Sequence, residues 1–179
     1  MPGYAALLRA VNVAGVVMPM ASLRSVAEKV GYQHVSTFLQ SGNLLFAAPA
    51  QRTGAIEKVL EAATAAGIGV TTDFLVRTAA EWRSTLEANP YSREARDDPA
   101  HLHVVFLKGE AASGAEQQIT DAIRGREYAR VVGRHAYVVY PDGSGTSKLT
   151  LRVIERAAGQ RGTARNWNTV TKIGARFPV

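Results

Sequence analysis

The chain has 179 residues and a mass of 19.2 kDa, is 46% hydrophobic and 20% charged, and contains no cysteine. That size and balance describe one large or two small globular domains and argue against wholesale disorder, and the missing thiols exclude a disulfide scaffold, Cys-ligated zinc or iron–sulfur sites and a cysteine nucleophile. No apolar run approaches the roughly 20 residues of a membrane span, and the N-terminal apolar stretch carries Arg9 and lacks a basic region before it, so it is a poor signal peptide. No membrane partner and a cytoplasmic location are the expectation.

In chain order, residues 4–11 form a short apolar run that reads as a buried strand, followed by a loop punctuated by Gly15 and Pro19. Residues 20–31 place Leu23, Val26, Ala27 and Val30 at helical spacing, with Gly31 as the stop. Two strands over 34–39 and 44–48 are joined by Gln40-Ser41-Gly42-Asn43, whose Gly and Asn tolerate the positive φ of a hairpin turn. A helix over 53–66, closed by Gly67, and a strand over 70–76 complete the order β-α-β-β-α-β, a ferredoxin-like (split βαβ) half. A connecting helix over 79–88 leads into the polar segment 91–100, read as a linker, so the expected division is 1–76, 77–100 and 101–179.

The pattern then restarts, with a strand over 101–107, a helix over 112–123, a hairpin of 128–132 and 137–140 around Gly133-Arg134, and a helix over 147–158. The last strand of this second half reads as weak or missing. Residues 163–173 read instead as a short helix, with Thr163 as N-cap and Trp167, Val170 and Ile173 along one face. The fold class is therefore α+β, two ferredoxin-like halves with a short C-terminal helix.

Several of these residues form a recognisable pattern. Ala6-Leu7-Leu8-Arg9 with Asn12-Val13-Ala14-Gly15, then Met20 and Leu23, then Thr37 to Asn43, resemble the uncharacterised bacterial family known as domain of unknown function 1697 (DUF1697). So does Arg165-Asn166-Trp167-Asn168-Thr169-Val170 near the other end. The resemblance spans essentially the whole chain, implies two ferredoxin-like halves and brings no established activity. One departure is Ala14, where the family pattern has glycine.

The formal charge is +6, and its distribution is uneven: residues 143–179 hold seven Lys or Arg against the single acid Glu155. A basic end points to an anionic partner or to a solvated helical surface. Within it, the turn Pro141-Asp142-Gly143-Ser144-Gly145-Thr146-Ser147-Lys148 joins a strand to a helix. Free N–H groups there, beside two glycines and a lysine, can cradle a phosphate; the plainer reading is ordinary capping by Thr146 or Ser147. Lys148, Arg152 and Arg156 fall at i, i+4 and i+8, one face of a helix, and suit phosphate-backbone contact or solvation alike. Arg165, Asn166 and Asn168 around Trp167 can read a planar or anionic ligand, or the indole can be a core anchor. Arg9, Asn12 and Gly15 lie at the C-terminal end of the first strand, where open α/β sheets often place ligands, while Ser41 and Asn43 belong to the hairpin turn or to that same site.

Enzyme constellations are thin. His101 and His103 sit at i, i+2 without an obvious third metal ligand, so no metal and no cofactor are expected. The aromatic strand motif of an RNA-recognition module is missing, and Tyr137 and Tyr140 are three apart and so point to opposite faces. The leading expectation is binding of a small anionic, phosphate-bearing ligand through Arg9, Lys148, Arg152 and Arg165. Two alternatives stand beside it: non-specific nucleic-acid binding by the C-terminal basic face, and an enzyme acting on a phosphorylated metabolite in a cleft between the halves.

Overall fold

A computed structural model describes residues 1–9 and 17–178. Asn12 and Gly15, two of the expected ligand residues, and the departure at Ala14 lie outside them. The first half runs β1 (Gly3–Leu8), α1 (Met20–Lys29), β2 (Gln33–Thr37), β3 (Asn43–Ala47), α2 (Thr53–Ile68), β4 (Phe74–Thr78) and α3 (Ala79–Glu87). After α4 (Ser92–Asp97) the same order returns as β5 (Leu102–Leu107), α5 (Ala115–Ala122), β6 (Tyr128–Val132), β7 (His135–Val139), α6 (Leu151–Ala158), β8 (Gly162–Asn166) and α7 (Trp167–Gly174). Each half is a four-stranded antiparallel sheet, ordered β2-β3-β1-β4 and β6-β7-β5-β8, with two helices in its core. These are two ferredoxin-like halves of identical topology. Among the described residues, no helix is long and apolar enough to cross a membrane.

The alternation of side chains along a strand builds the first core from Tyr4, Ala6 and Leu8 of β1, Leu44 and Phe46 of β3, and Phe74 and Val76 of β4. Leu23 and Ala27 of α1 and Ile56 and Leu60 of α2 cover that face. In the second half Val105, Leu107, Ala136 and Val138 meet Ile119 of α5 and Ile154, Ala157 and Ala158 of α6. The stop of α1 is as expected: Gly31 at φ 91 donates to Glu28 O at 3.0 Å while Tyr32 donates to Ala27 O at 3.1 Å, a Schellman closure.

The strand expected over 70–76 runs Phe74–Thr78, and four further differences have a local reason. Helix α2 passes through Gly67 and ends at Gly69, whose φ of 74 permits the left-handed cap. Gly67 lies within the helix facing α1, where a Cβ would stand in ordinary contact, 3.4 Å, with the Val26 side chain. The polar segment 91–100 contains α4, with no buried residue. Helix α6 starts at Leu151 with Thr150 as N-cap, because Ser147 accepts from Leu149 N at 3.0 Å and so closes a separate turn ahead of the helix. The last strand is present: residues 162–166 are β8, and Asn166, not Thr163, caps the helix that follows by accepting from Thr169 N at 3.0 Å.

The boundary between the two compact units falls inside the expected connecting segment 77–100, but the C-terminal residues group with the first unit rather than the second. One comprises Met1–Arg83 together with the residues from Ile173 on, and the other Ser84–Lys172. The C-terminal residues return to the first unit because Phe177 packs on Trp82, ring centroids 5.8 Å apart, and the backbone of Pro178 lies against Gly3.

The ends of the two halves also repeat in detail. Arg77 on β4 is 1% exposed and donates to Val76 O at 3.0 Å, the carbonyl just before it. Arg165 on β8 is 8% exposed and donates to Ala164 O at 2.8 Å. Each is followed by a helix N-cap, Thr78 accepting from Glu81 N and Asn166 from Thr169 N, and then by a helix with a buried tryptophan, Trp82 or Trp167.

Gly162 is the position where β8 meets β5 most tightly, since a Cβ there would lie 2.9 Å from Phe106 O, a backbone atom that cannot move aside. Gly162→Ala is therefore expected to lower stability by about 1–3 kcal/mol in urea unfolding, whereas Gly54→Ala, at an exposed helical position with open space around it, should raise it slightly.

Candidate functional site

The residues at one end of the first sheet converge. Strand β1 ends at Leu8, whose N–H donates to Gly42 O at 2.9 Å, and Arg9 follows with its own N–H on Asp73 O at 3.0 Å. The chain between β2 and β3 is closed by Asn43, 1% exposed, which donates to Phe38 O at 2.7 Å and to Ser41 Oγ at 3.0 Å. Phe38 N returns a bond to Asn43 O at 2.9 Å. Ser41 and Asn43 therefore shape this loop, as the hairpin reading expects. The left-handed positions, however, are Gly42 (φ 75) and Leu39 (φ 60).

Leu39 is the residue that sequence reasoning missed. A leucine at positive φ is strained by roughly 1–2 kcal/mol, and this one is also 52% exposed, so neither burial nor easy geometry explains it. Two guanidinium groups stand at this loop: Arg24 of α1 donates to Thr37 Oγ1 at 2.9 Å, and Arg176 lies over the Phe38 ring at 4.4 Å from its centroid, while Arg9, half-buried, follows β1 with its backbone N–H on Asp73 O. A cation on an aromatic face is worth about 0.5–1 kcal/mol at an accessible site and fixes the C-terminal segment here. Arg24 and Arg176 carry no sequence signal pointing to this loop; the folded chain brings them to Thr37 and Phe38.

The other expected residues belong to the second unit. In the glycine-rich turn, Asp142 is held by Arg126, Nε to Oδ2 at 3.0 Å with a second, shorter contact, and Ser147 Oγ donates to the Glu127 carboxylate. The Ser147 bond holds the Glu127 carboxyl below its ordinary range, so a carboxylate already occupies the hydroxyl that an arriving phosphate would need. Lys148 is exposed but lies in this turn, ahead of α6, so it does not share a helical stripe with Arg152 and Arg156. Those two remain an exposed i, i+4 pair.

Arg165 donates to Thr163 Oγ1 at 2.8 Å as well as to Ala164 O, and burial alone pushes its guanidinium down to about 10. Trp167, Val170 and Ile173 are buried along α7, which makes the indole a core anchor, while Asn168 is exposed and Asn166 serves as the N-cap. Tyr137 and Tyr140 are buried with their hydroxyls on Thr85 O at 2.7 Å and Leu149 O at 3.0 Å, so neither offers a stacking face to nucleic acid. His101 Nδ1 meets Asp98 Oδ2 at 2.8 Å, and His103 lies inside β5. Among the described residues no group of His, Asp or Glu is arranged to hold a metal ion.

Asn43→Ala removes the donor that closes the loop and should lower stability by about 1–3 kcal/mol, whereas Leu39→Gly, which relieves the positive φ, should be neutral or stabilising by up to about 1 kcal/mol; chemical unfolding of both variants checks the pair. His103 supplies a pH dependence. Burial holds its imidazole below the ordinary value, helped by the neighbouring His101 and opposed by the Ala100 carbonyl. The unfolded chain takes up this proton near pH 6.5 and the folded chain only at lower pH. Stability should therefore fall as pH is lowered below about 6.5, and His103→Phe should flatten that part of the profile.

A family model described as "Protein of unknown function (DUF1697)" matches residues 1–137. No curated protein matches the chain. Among solved structures, the chain is similar to the conserved bacterial protein SP0830 from Streptococcus pneumoniae, with 21% identity over 97% of each chain and a TM-score of 0.74. That likeness concerns the fold alone.

Proposed function

Starting from a chain that belongs to the DUF1697 family, we propose that it binds a small anionic, phosphate-bearing ligand at the open end of its first sheet. The observation that carries this reading is the seating of the Arg24 and Arg176 guanidinium groups on Thr37 and Phe38, beside the loop whose Gly42 carbonyl holds Leu8, the residue just before Arg9. Guanidinium groups present paired donors that match phosphate oxygens and are charged at every physiological pH. Two acids stand near this end: Asp73, whose backbone carbonyl accepts from Arg9 N, and Glu61, whose carboxylate accepts from Phe74 N at 3.0 Å. The strained, exposed Leu39 adds support, because strain held in place by surrounding structure clusters where a chain binds or reacts. Arg24 and Arg176 thus replace Lys148, Arg152 and Arg165 as the partners of Arg9.

The exposed Lys148, Arg152 and Arg156 of the second unit favour a second reading, sequence-independent contact with nucleic-acid phosphates. Salt separates the two. Calorimetric titration with tripolyphosphate should show binding that weakens at least tenfold, about 1.4 kcal/mol, in Arg9→Ala and in Arg24→Ala, and that is unchanged in Lys148→Ala/Arg152→Ala. Affinity lost only in the second-unit double variant, together with single-stranded nucleic-acid binding that falls steeply with salt, overturns the first reading in favour of the second.

A further inference from the structure

The second unit contains a cavity of about 320 Å³ that the preceding reading does not use. It opens between the helix-covered face of the second sheet, the start of α6 and the glycine-rich turn. Val105, Leu149, Ile154 and Ala164 make its apolar walls, and the ring of His103 stands edge-on to Tyr140, centroids 5.1 Å apart, on the sheet side. Ser144, Ser147 and Thr150 contribute the remaining polar groups. Its volume is at the small end of ligand pockets, roughly 300–1,000 Å³, the size for a ring and its substituents rather than a nucleotide.

Two features define what would fit. First, the lining contains no Asp, Glu, Lys or Arg, and burial keeps His103 neutral at pH 7, so nothing in the cavity offsets a formal charge on a ligand. Second, the polar groups of the buried part of the lining are largely engaged, the Ser144 and Thr150 residues being exposed. Tyr140 OH donates to Leu149 O, Ser147 Oγ donates to Glu127 and accepts from Leu149 N, and Thr150 Oγ1 accepts from Val153 N at 3.4 Å. His103 differs. Its hydrogen-bonding neighbour among the described residues is the Ala100 carbonyl, which takes one N–H. A neutral imidazole that donates from one nitrogen accepts at the other, so the ligand must bring the donor.

We propose that this cavity binds an uncharged, flat heteroaromatic molecule bearing an N–H donor, with the second ring nitrogen of His103 as acceptor and the apolar walls enclosing the ring. The site is in the second unit and is independent of the anion site in the first.

The test is an NMR titration of the full chain at pH 7.5, following the His103 imidazole resonances. The probes are benzimidazole, its N-methyl derivative, which keeps the size and loses the donor, and tripolyphosphate. Benzimidazole should shift the His103 signals saturably, N-methylbenzimidazole should bind at least tenfold more weakly, and tripolyphosphate should leave them unmoved. Ala164→Leu, which fills the cavity, should abolish the benzimidazole response, and His103→Phe, which keeps a flat ring without nitrogen, should weaken binding at least tenfold by calorimetry. A His103 signal that does not move with benzimidazole overturns the proposal, as does equal affinity for the methylated probe or undiminished binding in Ala164→Leu. The wild-type comparison of the two probes decides the matter even if a variant fails to fold.

Discussion

Strand β1 has a hydrogen-bonded neighbour on each edge, β3 from Gly3↔Ala47 to Leu7↔Asn43 and β4 from Tyr4↔Thr78 to Leu8↔Phe74. All six of its residues are buried. A one-residue slip would turn Tyr4, Ala6 and Leu8 away from the core and break both ladders, so the register is strongly specified. Because β1 cannot slide, the chain leaves it at one fixed point, where Leu8 touches the β2–β3 loop and Arg9 touches the start of β4. The proposed anion site rests on that constraint.

The second half uses the same device with β5, paired to β7 and β8, yet its glycine-rich turn has a different character. There Glu127 and Asp142 are tied to Ser147 and Arg126, and the space behind the turn is apolar and uncharged. The same topology thus carries two proposed sites of different chemistry, one for an anion in the first half and one for an uncharged ring in the second. At the last strand, by contrast, the halves agree closely: a buried arginine folded back on the preceding carbonyl, a helix N-cap and a buried tryptophan. A buried charge of this kind is destabilising unless its hydrogen bonds are kept, which fits a structural role for Arg77 and Arg165 and explains why Arg165, so prominent in the sequence, is not a surface ligand residue.

Much of the fold was legible from periodicity and turn chemistry: both β-α-β-β-α series, the Gly31 stop, and the buried face of Trp167, Val170 and Ile173. Gly67 reads as a stop, but the helix runs on to Gly69, whose φ of 74 makes the left-handed cap. Gly162 to Asn166 reads as polar loop and helix start because its strand character comes from pairing with β5 rather than from its own side chains. The recurrence of Arg-Thr before one helix and Arg-Asn before the other was available in the sequence and would have exposed the missing strand. At the candidate site the turn role of Ser41 and Asn43 was legible, while Arg24 and Arg176 were not, since they come from a helix and a C-terminal segment that only the folded chain brings to Thr37 and Phe38. Leu39 carried no signal at all: its strain is a property of the loop closed by Asn43, not of leucine.

The most direct measurement of the central claim is a backbone and arginine side-chain NMR map of the isotope-labelled protein during titration with tripolyphosphate at moderate salt. The account predicts saturable shifts confined to Arg9, residues 37–43, and the Nε–H signals of Arg24 and Arg176. Shifts confined to residues 144–156, with the end of the first sheet silent, would contradict it.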